Sequence, residues 1–178
     1  MVPDHDSPLE VMWGGKFLTA VRRGRWEYVV RPRGVRAAVV LATIDGDIVL
    51  VEQYRVPLGK PCIELPAGLI GDETDDEEPL AAAGRELEEE TGYRAATLRD
   101  CGEFYSSPGM LGESFTLVRA TGLEQIGPGG GVDGENITVH RVPRAGIATF
   151  LAAKRAEGCG VDVRVLMLLA DAIVGEQE

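Results

Sequence analysis

The chain has 178 residues, 44% of them hydrophobic, enough for one domain whose core needs no staples. Its formal net charge of −11 argues against nucleic acid or an anionic membrane surface as partner. Cys62, Cys101 and Cys159 are odd in number and far apart, without CxxC or Cys/His spacing. That excludes a disulfide framework or a zinc site and fits a reducing cytoplasm.

Residues 1–10 are polar, carry two prolines and read as disordered or loosely held. They lack an apolar core, so no signal peptide is expected, and nowhere do about 18 apolar residues run together as a membrane span requires. Residues 16–20 and 26–30 read as short strands around Arg23-Gly24-Arg25, a hairpin. Pro32 and Gly34 then interrupt the chain. Asp45-Gly46 is a hairpin turn between two largely buried strands, 37–44 and 48–53. Residues 58–66 read as irregular, and Ile63-Glu64-Leu65-Pro66-Ala67-Gly68 as ending in a turn.

A helix follows. Asp75 or Asp76 can cap it, Pro79 suits its first turn, and Gly92 sits where a helix commonly ends. At 100° per residue, Leu80, Ala83 and Leu87 form a stripe toward the core. Glu86, Glu89 and Glu90 fall on an adjoining arc, and Glu88 points away to water. Strands at 97–103 and 114–120 then flank the turn Ser106-Ser107-Pro108-Gly109. Five glycines and a proline in the eight positions 127–134 read as a flexible loop. A strand at 137–142 precedes helices at 145–156 and 161–173, the second with Val161, Val165, Leu168 and Leu169 on one stripe. The mixture predicts an α/β or α+β layered fold. His5 and His140 are assigned no role.

The helix end carries the chemistry. Ten acids lie between Asp72 and Glu90, opposed only by Arg85. Glu86 and Glu90 are a like-charge i,i+4 pair, which costs a bare helix about 0.2–0.5 kcal/mol, and the macrodipole is already negative there. A divalent cation is the natural partner for such a cluster. Its spacing is specific: Gly71, Glu77, Arg85-Glu86-Leu87, Glu89-Glu90 and Gly92-Tyr93 satisfy Gly-x5-Glu-x7-Arg-Glu-U-x-Glu-Glu-x-Gly-U, where U is apolar. This 23-residue run resembles the signature of the Nudix hydrolase family. The box glycine is either Gly71 or the glycine of Pro66-Ala67-Gly68 with three residues inserted after it. The insertion is favoured, because the loop lengthens while the helix stays unchanged.

Further segments extend the resemblance to the ADP-ribose pyrophosphatase branch. They are Gly15-Lys16-Phe17, Tyr28-Val29-Val30-Arg31-Pro32, Val51-Glu52-Gln53-Tyr54-Arg55, Glu64-Leu65-Pro66-Ala67-Gly68, Ser107-Pro108-Gly109 with Glu113, and Glu135-Asn136-Ile137. The resemblance implies a Nudix-type α/β/α sandwich on a mixed β-sheet over residues 35–178. Residues 1–34 would be a β-hairpin arm used in dimerisation, with six arginines between Arg22 and Arg36 serving an acidic partner and an anionic substrate. It also implies Mg²⁺-dependent (or Mn²⁺-dependent) attack of water on ADP-ribose, giving AMP and ribose 5-phosphate, in a cytoplasmic homodimer.

By the same resemblance, Glu86 and Glu90 are the main metal ligands, joined by Glu89, the Ala67 carbonyl and Glu135. Arg85 orients Glu89 or Glu77, and the proton acceptor is Glu135, Asp133 or Glu89. Phe17 with Arg31 or Arg33 would grip the base, Arg55 a phosphate, and Ser107, Gly109 and Glu113 the terminal ribose. The alternatives are hydrolysis of another nucleoside diphosphate sugar, such as GDP-mannose or ADP-glucose, and a module that binds a nucleotide sugar without cleaving it. Such modules usually lose box carboxylates, and this chain keeps them all.

Overall fold

The structure, a computed structural model, describes residues 3–32, 35–71, 77–132 and 134–169. Its first sheet is the N-terminal arm. Strands β1 (Leu9–Gly14), β2 (Thr19–Arg23) and β3 (Trp26–Val30) pair antiparallel in that order. Gly24, at φ 57°, forms the tight turn between β2 and β3. Strand β1 was not expected. Its strand-favouring Val11 and Trp13 pair with Val21 and Ala20, so order begins inside the segment read as disordered. The arm is thus three strands, and β2 starts three residues later than its expected start.

The main sheet has eight strands among the described residues. The expected hairpin is present as β4 (Arg36–Ile44) and β5 (Asp47–Arg55), turned by Asp45 and Gly46, both at positive φ. The two strands pair only near that turn, from Ala42↔Val49 to Ile44↔Asp47. Beyond it they part, and the chain read as irregular fills the gap. Strand β6 (Lys60–Glu64) pairs with the last residues of β5 and β7 (Ala67–Ile70) with the first residues of β4, both at the ends away from the turn. Residues 60–64 include Pro61 but still pair, because an antiparallel partner supplies the order that local propensity does not.

Helix α1 (Pro79–Thr91) begins at Pro79 and ends at Gly92, whose φ of 72° closes an N–H bond to the Glu88 carbonyl. The residue before Pro79 that acts as cap is Glu78, without a side-chain capping bond; Asp75 and Asp76 lie outside the described residues. Strands β8 (Tyr93–Tyr105) and β9 (Ser114–Gln125) are longer than expected and pair with each other, and β9 runs parallel to β4. Strand β10 (Thr138–Pro143) pairs with the free side of β5. After α2 (Ile147–Ala156), the final helix expected at 161–173 is not an α-helix over the described residues. It is the short strand β11 (Gly160–Val161), parallel to β6, followed by a 3₁₀ turn series at Val163–Leu169; residues 170–173 lie outside the described set.

Each face of the sheet is covered, as the α/β/α expectation requires. Along β4, Ala38, Val40 and Ala42 face α1, while Val39 and Leu41 face α2 and the C-terminal segment. The α1 side is built from small residues, Ala38, Ala42, Ala82, Ala83 and Ala120, around Val118 and Leu87. The other side holds the larger Leu50, Ile63, Leu65, Leu117 and Leu151. Leu80 was expected on the buried stripe of α1 but is 37% exposed, at the end of the helix where packing stops. Glu90 takes a core position instead. It lies seven residues after Ala83, nearly two full turns, so its carboxylate stands on the same stripe.

Candidate active site

A cleft of about 590 Å³ opens where β4 and β5 part. Ala67 and Gly68 of β7 form part of its wall, α1 contributes Glu86 and Glu90, and Glu64 of β6 and Arg55 of β5 face them. Among the described residues, three arginines (31, 55 and 164) and six carboxylates line it, an excess of three negative charges when all carboxyls are ionised. A cleft of that sign repels an anionic substrate unless a cation is present.

The acidic wall is organised by Arg85. Its Nε and one terminal nitrogen reach Glu77 Oε1 and Oε2 at 3.1 and 3.3 Å, and its other terminal nitrogen reaches Glu86 Oε1 at 2.8 Å and Glu89 Oε2 at 3.4 Å. It also donates to the Leu69 carbonyl at 3.3 Å, tying α1 to β7. The Arg85 hydrogen bonds hold the Glu77 carboxyl below its usual range, assisted by the Gly71 N–H at 3.1 Å. Both partners named for Arg85 in the sequence, Glu77 and Glu89, are therefore engaged, and Glu86 with them. Glu88 does point away from this group, but it is clasped through both oxygens by Arg94 of β8.

Glu90 is 5% exposed. Burial pushes its carboxyl up to about 8, and the charges of Glu86 and Glu135 push the same way; the Ala67 N–H, 3.0 Å from Oε2, offsets part of this. A buried carboxylate facing two others is expensive unless something positive joins them. Among the described residues no three metal-binding side chains already converge, because Glu86 leans on Arg85 and Glu90 on Ala67. The donor set nonetheless fits a hard divalent cation: all oxygen, lining one cleft, and short of positive charge. Glu89 is not on the cleft wall.

Both candidate box glycines occupy places where a side chain would disturb the site, for different reasons. A Cβ on Gly68 would sit 1.8 Å from the Glu86 carboxyl carbon. Gly71 has φ 82° and supplies the N–H that binds Glu77. Residues 72–76, where the insertion would fall, lie outside the described residues.

The glycine-rich run is not the free loop that its composition suggests. Gly130 and Gly131 donate N–H bonds at 2.9 and 3.0 Å to the carbonyls of Glu90 and Glu89, and Gly127 donates to Gly92 at 3.1 Å. These bonds satisfy carbonyls that the helix end would otherwise leave open. Glycine is needed because the backbones touch: a Cβ on Gly129 would lie 2.4 Å from the Thr91 carbonyl carbon. Following this docked half, Glu135 lines the cleft, its Oε2 accepting the Val132 N–H at 3.0 Å. Asp133 and Arg33 lie outside the described residues.

Opposite the acids, Arg55 lines the cleft as expected, but its guanidinium grips both oxygens of Glu64 at 2.7 and 2.8 Å. Arg31 lines it too, its Nε 3.0 Å from Glu113 Oε1 as an ion pair. Ser107 and Gly109 belong to the turn beyond the wall, where the Ser107 carbonyl accepts the Met110 and Leu111 N–H groups. Phe17 is 65% exposed on the arm and is not part of this chain's own cleft. Three charged lining residues were assigned no role in the sequence: Glu64, Asp162 and Arg164. Glu64 sits inside the quoted Glu-Leu-Pro-Ala-Gly segment; nothing local marks the other two. Cys62 also lines the cleft, with burial pushing its thiol up to about 11, so it stays protonated near neutrality and is a poor nucleophile. His140, given no role, lies tilted against the Phe150 ring and meets Glu52 at 2.8 Å, outside the cleft lining.

The sequence profile described as NUDIX domain matches residues 32–126, more than half of the chain. The chain belongs to the NUDIX domain family. The matched NUDIX region contains the whole acidic wall except Glu135. An ADP-ribose pyrophosphatase of Bacillus subtilis is 45% identical over 100 residues, 56% of this chain and 51% of that protein. A GDP-mannose pyrophosphatase of Cronobacter sakazakii is 37% identical over 123 residues, 64% of this chain and 62% of that protein. This NUDIX chain thus spans between about half and three-fifths of the lengths of these curated relatives. A crystal structure described as an ADP compounds hydrolase superposes with a TM-score of 0.71 over 96% of this chain and 94% of that one, at 21% identity, which establishes a shared fold.

Proposed function

We propose that the chain hydrolyses the pyrophosphate bond of ADP-ribose, giving AMP and ribose 5-phosphate, with Mg²⁺ or Mn²⁺ as cofactor. The observation that carries this reading is the buried Glu90 carboxylate in a cleft with an excess of three carboxylates, facing arginines across it. Glu86 and Glu90, with the Ala67 carbonyl and Glu135, would hold the cation, and Glu89, beside them on α1 but off the cleft wall, would act through its water. When bound, it supplies neutralisation of phosphoryl charge and a more acidic water. Arg85 keeps Glu86 and Glu77 in place. Arg55 and Arg31 meet the phosphates, Arg having the fork that matches them. A carboxylate of Glu135, Asp133 or Glu89 takes the proton as the water oxygen bonds to phosphorus and the anhydride P–O bond breaks. The bridging oxygen keeps that bond's electron pair and leaves with the other phosphate.

A second substrate reading, GDP-mannose, draws support from the similarity to a GDP-mannose pyrophosphatase. Rates with ADP-ribose, ADP-glucose and GDP-mannose in the presence of Mg²⁺ separate the two. ADP-ribose is expected to be turned over with the highest kcat/KM; a preference for GDP-mannose refutes the first reading. Glu86→Gln and Glu90→Gln are expected to lose activity while still binding nucleotide. An equally inactive parent that binds would make the chain a binding module.

The proposal includes a cytoplasmic homodimer formed through residues 1–34, with 35–178 as the catalytic domain. Val11, Trp13, Phe17 and Trp26 of the arm are all more than half exposed, which a second arm would cover. Phe17 and Arg33 would then act on the partner's cleft. No described helix is long and apolar enough to cross a membrane.

A further inference from the structure

Glu64 is 3% exposed and must keep a positive partner, because a buried carboxylate left alone costs several kcal/mol. It has two. Arg55 holds both of its oxygens, and a terminal nitrogen of Arg164 lies 3.4 Å from Oε2. The two arginines differ in freedom. The Arg55 side chain is 40% exposed at the cleft, whereas that of Arg164 is 19% exposed. Asp162 fixes Arg164 through a fork of 2.7 and 2.8 Å and also accepts the Arg164 backbone N–H at 2.7 Å. The guanidinium carbon of Arg164 further lies 5.9 Å from the centre of the Phe115 ring. The Asp162 N–H bonds to the Ile63 carbonyl at 3.0 Å, so the C-terminal segment is seated on β6 directly beside Glu64.

We propose that Arg164 is a positioning residue that takes over the charge of Glu64 when Arg55 turns to a substrate phosphate. The inference rests on Arg55 binding phosphate, as proposed above. In the structure Arg55 is committed to Glu64, so reaching an anion in the cleft means leaving that carboxylate. With Arg164 in place, Glu64 retains a guanidinium that needs to close only from 3.4 Å, and Asp162 holds that guanidinium so that it does not itself leave for the substrate. Without Arg164, release of Arg55 would strand a buried charge, and Arg55 would stay where it is. The pair Asp162 and Arg164 thus sets how available Arg55 is, from a segment 100 residues away from Glu64 in sequence.

Steady-state kinetics and a double-mutant cycle on the full chain test this, with thermal melts to confirm folding. Arg164→Gln is expected to raise KM for ADP-ribose about tenfold, equivalent to about 1.4 kcal/mol, with kcat changed much less. Arg164→Lys, which keeps the charge, should recover most of the loss. Glu64→Gln removes the charge that needs covering, so adding Arg164→Gln to it should raise KM little further. Full additivity of the two substitutions overturns the proposal and makes Arg164 structural, as does an Arg164→Gln effect confined to stability. Arg55→Gln distinguishes the underlying reading: a parental KM there overturns both the phosphate role of Arg55 and the handover, whereas a raised KM with a parental Arg164→Gln overturns the handover alone.

Discussion

Replacing Gly68 with alanine tests whether the position of Glu86 is what the cleft depends on. The added Cβ would lie 1.8 Å from the Glu86 carboxyl carbon and 2.0 and 2.3 Å from its oxygens, so the carboxylate must move. The backbone need not. Gly68 is not in the left-handed region, and alanine in a strand interior gains about 0.5–1 kcal/mol over glycine. Against this stands the ion pair of Glu86 with Arg85 at 2.8 Å, worth about 1.5–3 kcal/mol as a charged hydrogen bond if it is lost outright. The two effects oppose each other, and the net change in stability is expected within about 2 kcal/mol, a shift of several degrees in Tm. Activity should respond very differently. Disturbing even an outer partner of a metal ligand costs about 10–100-fold, and here the proposed ligand itself is displaced. The assay is kcat and KM across a Mg²⁺ titration, beside a thermal melt of each protein. A folded Gly68→Ala protein with parental kcat and parental Mg²⁺ dependence would refute the reasoning, because Glu86 would then be dispensable where it stands.

Gly129→Ala should behave in the opposite way. Its φ of 66° costs a non-glycine residue about 1–2 kcal/mol, and the Cβ meets Thr91 backbone at 2.4 Å, which has no flexible end to yield. The loop should undock from the helix end, lowering Tm and removing hydrogen-exchange protection at the Gly130 and Gly131 amides; unchanged protection counts against the docked loop. For pH, the informative group is Glu52, which accepts from Lys154 at 3.0 Å and His140 at 2.8 Å outside the cleft lining. Burial raises its carboxyl, but the Lys154 and His140 hydrogen bonds outweigh it and hold the group below the ordinary 4.5. A depressed carboxyl stabilises the fold above its unfolded value and loses that contribution as pH falls through its folded value. Urea denaturation should therefore show Glu52→Gln less stable than the parent near neutrality, with the gap closing well below pH 4.5. A gap independent of pH would mean that the carboxylate charge is not what binds α2 to the sheet.

The signals that could be read along the chain were local ones. Asp45-Gly46 defines the β4–β5 hairpin because those two residues tolerate positive φ, and Pro79 and Gly92 bound α1 because one cannot continue a helix backward and the other can end it. The spacing of Glu77, Arg85, Glu86, Glu89 and Glu90 placed the acids on one end of one helix, and the family resemblance attached a chemistry to them. Strands β6, β7 and β11 escaped notice because their order comes from partners, not from their own residues: Pro61 and Gly68 are poor strand formers that pair only where β4 and β5 separate. The glycine run looked mobile because composition reports freedom of the unfolded chain, and the carbonyls of Glu89 and Glu90 that hold it come from another element.

The sequence by itself determined the acidic helix end and the cation that it calls for, since four carboxylates in five residues repel one another in any fold. Only the tertiary structure decided which of them is costly. Glu90 is buried on the core stripe beside Ala67, Glu86 is held by Arg85 against Gly68, and Glu88 is spent on Arg94. It also brought Arg164 to Glu64. Charges interact through space with a strength fixed by distance and burial, and neither quantity is written in the order of residues along the chain.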